Sequence, residues 1–171
     1  FLLTTLLSLL SFVRERNNGT LDRLLVSPLK EREMVVGYVL AFSLIRMVQA
    51  SILLAVGSLV FGITIAGSPA VAFLVVALLA IVSVSLGILL SSAAKSEFQA
   101  VQFVPMIILP TLLLAGVFWP LEAIPTIIRP LSCIIPPTYA IEALRSVLLR
   151  GWGLGGIWLD IIVLLAFAIV F

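Results

Sequence analysis

Apolar positions along this chain do not recur at the period of a half-buried helix or strand; they run on without interruption. Between Arg46 and Lys95 lie 48 residues without a charge, and between Glu97 and Glu122 another 24. A helix crosses a bilayer in about 20 residues at about 1.5 Å each, so the first run accommodates two spans and the second one. The pattern predicts a first span from Phe1 to about Phe12, closed by Arg14, and a second from near Met34 to near Thr64. There Gly62, Gly67, Ser68 and Pro69 stop one helix and start the next, leaving a very short turn. A third span runs from about Ala70 to Leu90 and ends at Ser91, Ser92, Lys95, Ser96 and Glu97. A fourth runs from Phe98 to about Val117, with Pro105 and Pro110 inside it to kink it. The last begins near Ile157. The apolar ends, Phe1 to Val13 and Ile161 to Phe171, are too short to cross and read as helices cut midway, so a longer chain is expected. The expected fold is all-α: a polytopic helical membrane protein with about five spans, residues 1–171 forming one transmembrane domain.

Composition agrees with the pattern and removes several chemistries. The 171 residues are 63% apolar and 11% charged, with a mean hydropathy of +1.33, more apolar surface than a soluble domain can hide. With no histidine there is no imidazole relay, no Ser-His-Asp triad and no His-based metal site. A single cysteine, Cys133, forms neither an internal disulfide nor a CxxC knuckle. The net charge of +2 and the lack of any Lys/Arg run give no reason to expect nucleic acid. No catalytic set, cofactor site or metal site is expected. A Gly-rich GxxxxGK(S/T) phosphate loop is likewise missing from the sequence.

The cations set the orientation. Five of them fall between Arg14 and Glu33, and Lys95, two spans later on the same face, makes six; the opposite face has only Arg129, Arg145 and Arg150. The positive-inside rule puts residues 14–33 in the cytoplasm and residues 119–156 outside.

The cytoplasmic segment is the one strongly polar stretch. Gly19 and Thr20 open a short helix, with Leu21, Leu24 and Leu25 on one face and Asp22 and Arg23 on the other; Ser27 and Pro28 end it, and Pro28 suits the first turn of the next. Such a helix either lies on the inner leaflet or docks its apolar ridge into a soluble partner. Five positive against four negative charges argue against simple attraction to anionic lipid.

The outer segment joins Phe118-Trp119-Pro120-Leu121-Glu122-Ala123-Ile124-Pro125 to a stretch broken by Pro130, Pro136 and Pro137. No helix runs straight through it. Ile127, Ile128, Leu131, Ile134 and Ile135 are nonetheless apolar, and Tyr139, Ile141, Leu144, Val147 and Leu148 are helically spaced. Two readings stand: a re-entrant cap covered by protein, or an amphipathic loop resting on the membrane.

Three motifs in order then resemble a known family. They are E-R-x-x-G-T-L-x-x-L-L-x-S-P (Glu15 to Pro28), G-V-F-W-P-L-E-A-I-P (Gly116 to Pro125) and P-P-T-Y-A-I-E-A-L-R (Pro136 to Arg145), with a matching number of spans between them. The order is similar to that of the membrane subunit of type-2 ATP-binding-cassette exporters, drug-efflux branch, along nearly the whole chain. Asn17 departs from the family's frequent second glutamate. The resemblance implies six spans, of which the N-terminal one is missing here, in the plasma membrane. It implies a permease that pairs with a second permease subunit and binds cytoplasmic ATPase subunits where ATP is hydrolysed, moving a drug, lipid or glycan-like amphiphile outward. It also implies a coupling element of Glu15, Arg16, Gly19, Thr20, Leu21, Leu24, Leu25, Ser27 and Pro28, and an outer motif of Gly116, Pro120, Glu122, Pro125, Pro137, Tyr139 and Arg145.

Two further expectations concern the spans. The kinked fourth span either lines the central path with Gln99, Gln102, Phe103 and Met106 or has a kink that serves packing alone. Arg46 is expected at the inner interface, because an unbroken helix from Met34 to Thr64 is about 16 Å longer than the hydrocarbon core and its excess would project inward. The rival class is a secondary transporter or channel, which would place ionisable groups near the midplane, and here only Arg46 and Asp160 offer themselves.

Overall fold

The computed structural model describes residues 1–19, 31–60 and 66–171. Seven α-helices are found among them: α1 (Leu2–Asn17), α2 (Glu31–Val60), α3 (Pro69–Ala93), α4 (Glu97–Leu114), α5 (Arg129–Ser132), α6 (Pro136–Arg150) and α7 (Trp158–Val170). Short 3-10 turns at Leu121–Ala123 and Leu154–Gly156 complete them, and there is no strand among the described residues. The all-α expectation holds.

Helices α2, α3 and α4 contain stretches long and apolar enough to cross a membrane, Glu33–Gly57, Pro69–Ala93 and Glu97–Leu114; α7 is apolar but shorter. Helix α3 is the centre of the bundle: it touches α1, α2, α6 and α7, and half of its apolar stretch is buried, against about a tenth in α2 and α4. Its sequence explains this. Ser83, Gly87 and Ser91 recur every fourth residue, a stripe of small side chains that lets another helix come close. A Cβ on Gly87 would stand 2.7 Å from both Ser8 Cβ and Thr5 O of α1. Two packed clusters result. Ala72, Val75 and Leu78 of α3 meet Ala140, Ala143 and Val147 of α6 together with Ile157 and Leu164, while Leu9 and Val13 of α1 meet Ala94 and Ala100.

The helix ends differ from the sequence boundaries for physical reasons. Helix α1 does not stop at Phe12 but carries Arg14, Glu15 and Arg16 in its last turns, because these side chains find partners on neighbouring helices. The last turns of α1 and the first of α2 thus take up both ends of segment 14–33, while Thr20 to Lys30, the greater part of the expected coupling element, lies outside the described residues. Helix α4 contains Pro105 and Pro110 yet is continuous from Glu97 to Leu114. It ends before Val117, since Gly116 adopts φ +80° and turns the chain.

Candidate functional site

The last turns of α1 present three consecutive charged side chains to three different helices. Arg14 Nε pairs with Glu97 Oε1 at 3.4 Å, at the start of α4. Glu15 accepts a hydrogen bond from the Tyr38 hydroxyl of α2, whose ring leans on Phe12 with centroids 4.5 Å apart. Arg16 donates through Nη1 to Ser91 O at 3.2 Å and through Nη2 to Ala94 O. Successive helical residues diverge by about 100°, which is why three neighbours in sequence reach three elements. The contacts are unequal. Arg14 and Glu97 are well exposed, so their pair contributes little, whereas Arg16 supplies a forked cation to carbonyls that the C-terminus of α3 leaves free, where the helix dipole also favours positive charge.

Glu15 and Arg16 therefore engage the bundle itself. Gly19 closes α1, its N–H donating to Arg16 O, with φ +69°. Thr20, Leu21, Leu24, Leu25, Ser27 and Pro28 lie outside the described residues.

The four residues expected on the path lie on one stripe of α4, at spacings of three and four residues, but differ in their contacts. Gln99 is the third residue of a cap: Ser96 Oγ accepts from its N–H at 3.2 Å, and its Oε1 accepts from Lys95 N–H at 2.9 Å. Phe103 packs against the cluster around Leu9 and Val13. Gln102 and Met106 are exposed. Gln99 thus serves the start of α4 and Phe103 its contact with α1.

In the outer segment the structure joins the two sequence motifs. Arg145 Nη2 donates to Gly116 O at 2.8 Å, fastening α6 to the end of α4. Pro137, buried, starts α6 beside Ala80 and Ser83, about halfway along α3. Helix α6 then runs back along α3 until Leu148 O accepts from Ala66 N–H at 3.1 Å. A Cβ at Gly67 would stand 2.5 Å from Val147 O, so the turn and α6 meet backbone to backbone. Tyr139 and Glu122 line a shared cavity, the Tyr139 hydroxyl donating to Cys133 O at 3.0 Å. Pro120 precedes the 3-10 turn Leu121–Ala123, and Pro125 O accepts from Ile128 and Arg129 N–H.

Arg46 is not at the level of the charged turn. Tyr38, held to Glu15, marks that level on α2, and Arg46 lies eight residues further, about 12 Å along the helix. It falls at the middle of Glu33–Gly57 and lines a cavity with Ala80, Ser83 and Thr111. Nη1 donates to Gln49 Oε1 at 2.6 Å, and Nε is buried without a hydrogen-bond partner. The expected projection into the cytoplasm fails because the charged end of α1 grips α2 near its start. A nitroxide at position 46 is expected to report a depth near the bilayer centre by collision with oxygen and a polar nickel reagent. A headgroup depth would restore the interfacial placement.

The sequence reading did not single out Tyr38, Gly87 or Ser132. For Gly87 a signal was present, the four-residue repeat of small side chains in an otherwise bulky span; for Tyr38 and Ser132 none was.

Comparison with known proteins agrees with this architecture. Residues 1–149 match the family model described as ABC-2 type transporter. The chain is 34% identical over 161 residues to ABC transporter G family member 20 of Dictyostelium discoideum, covering 93% of this chain and 22% of that protein. It is 32% identical over 149 residues to the probable multidrug ABC transporter permease YbhR of Escherichia coli, covering 87% and 40%. It is 28% identical over 171 residues to the linearmycin resistance permease protein LnrN of Bacillus subtilis, covering 99% and 44%. The chain thus spans less than half the length of each of these relatives. No solved structure matches. Together with the apolar helices, the match makes this a multi-pass protein of the plasma membrane, and the chain belongs to the ABC-2 type transporter family.

Proposed function

We propose that this chain is the membrane-spanning part of an ATP-driven exporter, moving an amphiphile such as a drug, lipid or lipid-linked glycan out of the cytoplasm. ATP is hydrolysed in a nucleotide-binding partner, which the Gly19 to Val26 segment contacts as a coupling helix, and a second permease subunit completes the path. The observation that carries the reading is the clamp at the end of α1: the segment offered to the partner emerges from three side chains bonded to α2, α3 and α4. A push on that segment acts on several helices at once, which is what a two-state transporter requires of an external motor. In this reading residues 119–156 form a re-entrant outer cap, α6 dipping to mid-depth beside α3, and Gln102 and Met106 face the partner permease or the path.

The test is association. Leu24→Asp is expected to insert normally and to lose most co-purification of the ATPase subunit, because an unpaired carboxylate would be buried at the contact. Recovery of the ATPase with this variant at wild-type yield would remove the coupling role.

A further inference from the structure

The outer segment encloses a cavity of about 310 Å³ that the proposed coupling does not use, lined by Glu122, Arg129, Ser132, Tyr139, Glu142 and Asp160, among others. Three carboxylates reach it from three separate elements: Glu122 from the 3-10 turn, Glu142 from α6 and Asp160 from the first turn of α7. None of them has a hydrogen bond or ion pair among the described residues. The neighbouring cations are committed elsewhere. Arg129 directs both Nε and Nη2 to Leu121 O, at 3.3 and 3.0 Å, and Arg145 directs Nη2 to Gly116 O. A second, independent feature lies in the same wall: Ser132 is only 1% exposed, and its Oγ has no hydrogen-bond partner. Buried hydroxyls are normally satisfied, and this one stands unpartnered in the cavity wall.

Three carboxylates against one occupied guanidinium make the cavity attractive to a cation, and its partly buried walls strengthen that attraction over its value in water. Among the described residues no three acidic or thiol groups come close enough to ligate one metal ion. The volume is that of a small organic ligand, and the half-buried Tyr139 ring adds a face on which an alkylammonium can rest. We infer that the cavity is a binding subsite for an organic ammonium group, the charged head of an amphiphile at the outer end of the path. Its meaning in transport rests on the export reading above; its existence as a binding site does not.

The experiment measures equilibrium binding of benzyltrimethylammonium to the full-length protein with its ATPase partner, in nanodiscs of neutral phosphatidylcholine, by calorimetry. Saturable binding is expected, with Glu142→Gln and Asp160→Asn each weakening it by at least about tenfold and neopentylbenzene, the uncharged analogue, failing to compete. The two variants are near-isosteric, and an unchanged melting temperature separates loss of binding from loss of fold. Equal affinity in the Glu142→Gln/Asp160→Asn double variant, competition by the uncharged analogue, or stoichiometric displacement by calcium alone would each overturn the subsite. Absence of binding in a preparation that retains its ATPase overturns the subsite and leaves the export reading standing.

Discussion

Leucine in place of Gly87 is expected to separate α1 from α3 and to leave no stable bundle. Even the first carbon of a side chain at 87 would sit 2.7 Å from the Thr5 carbonyl oxygen, which is backbone and cannot rotate away, and 2.7 Å from Ser8 Cβ. Alanine should therefore destabilise by about 1 to 3 kcal/mol, the usual cost of overpacking, as α1 shifts outward. Leucine adds three more carbons to the same space and should abolish recovery of monodisperse protein. The midpoint of thermal unfolding in mild detergent checks both variants. Wild-type behaviour of Gly87→Leu would mean that α1 does not lie against this face.

The second large effect is expected at Arg16, and it separates two roles that the sequence merges. In the export reading, if Arg16 served only to contact the proposed ATPase, its removal would release that subunit. Its guanidinium instead holds Ser91 O and Ala94 O, hydrogen bonds from a charged donor that contribute about 1.5 to 3 kcal/mol each. Arg16→Ala should therefore keep the ATPase bound and its ATP hydrolysis running, while ATP-driven uptake of a fluorescent amphiphile into inverted vesicles falls by more than about tenfold. Arg16→Lys should recover part of the loss, since an ammonium supplies the charge but not the fork. Loss of ATPase binding in Arg16→Ala would return this residue to the partner contact.

The order of the long apolar helices and their approximate ends were legible among the described residues, because long uncharged runs leave few alternatives in a bilayer. What was not legible depended on partners distant in sequence. Arg14 and Arg16 read as the end of a span, but with Glu97 and the α3 carbonyls available the helix continues through them. Gln99 also takes part in a cap that the sequence signals locally, with Ser96 three positions earlier. Arg46 was misplaced because helix length alone does not say which end takes the surplus, and the Tyr38 contact that decides it spans 23 residues. The outer motifs were recognisable as motifs, yet nothing in their spacing says that Arg145 reaches Gly116.

The meeting of the 66–68 turn with α6 bears on how the protein is made. Ala66 finds its acceptor on Leu148, and Gly67 abuts Val147, about eighty residues downstream. At a synthesis rate of roughly 5 to 20 residues per second, the outer end of α3 waits roughly four to sixteen seconds for the strand of chain that completes it. Until then its N–H group and closely approachable glycine stand open, and a nascent chain stalled before Pro136 carries the α1 clamp fully formed beneath an unfinished outer half. The end of the bundle that holds the α1 clamp can thus mature on the ribosome, whereas the opposite end is settled only when α6 arrives, and that interval is when a membrane chaperone or protease would find it unguarded.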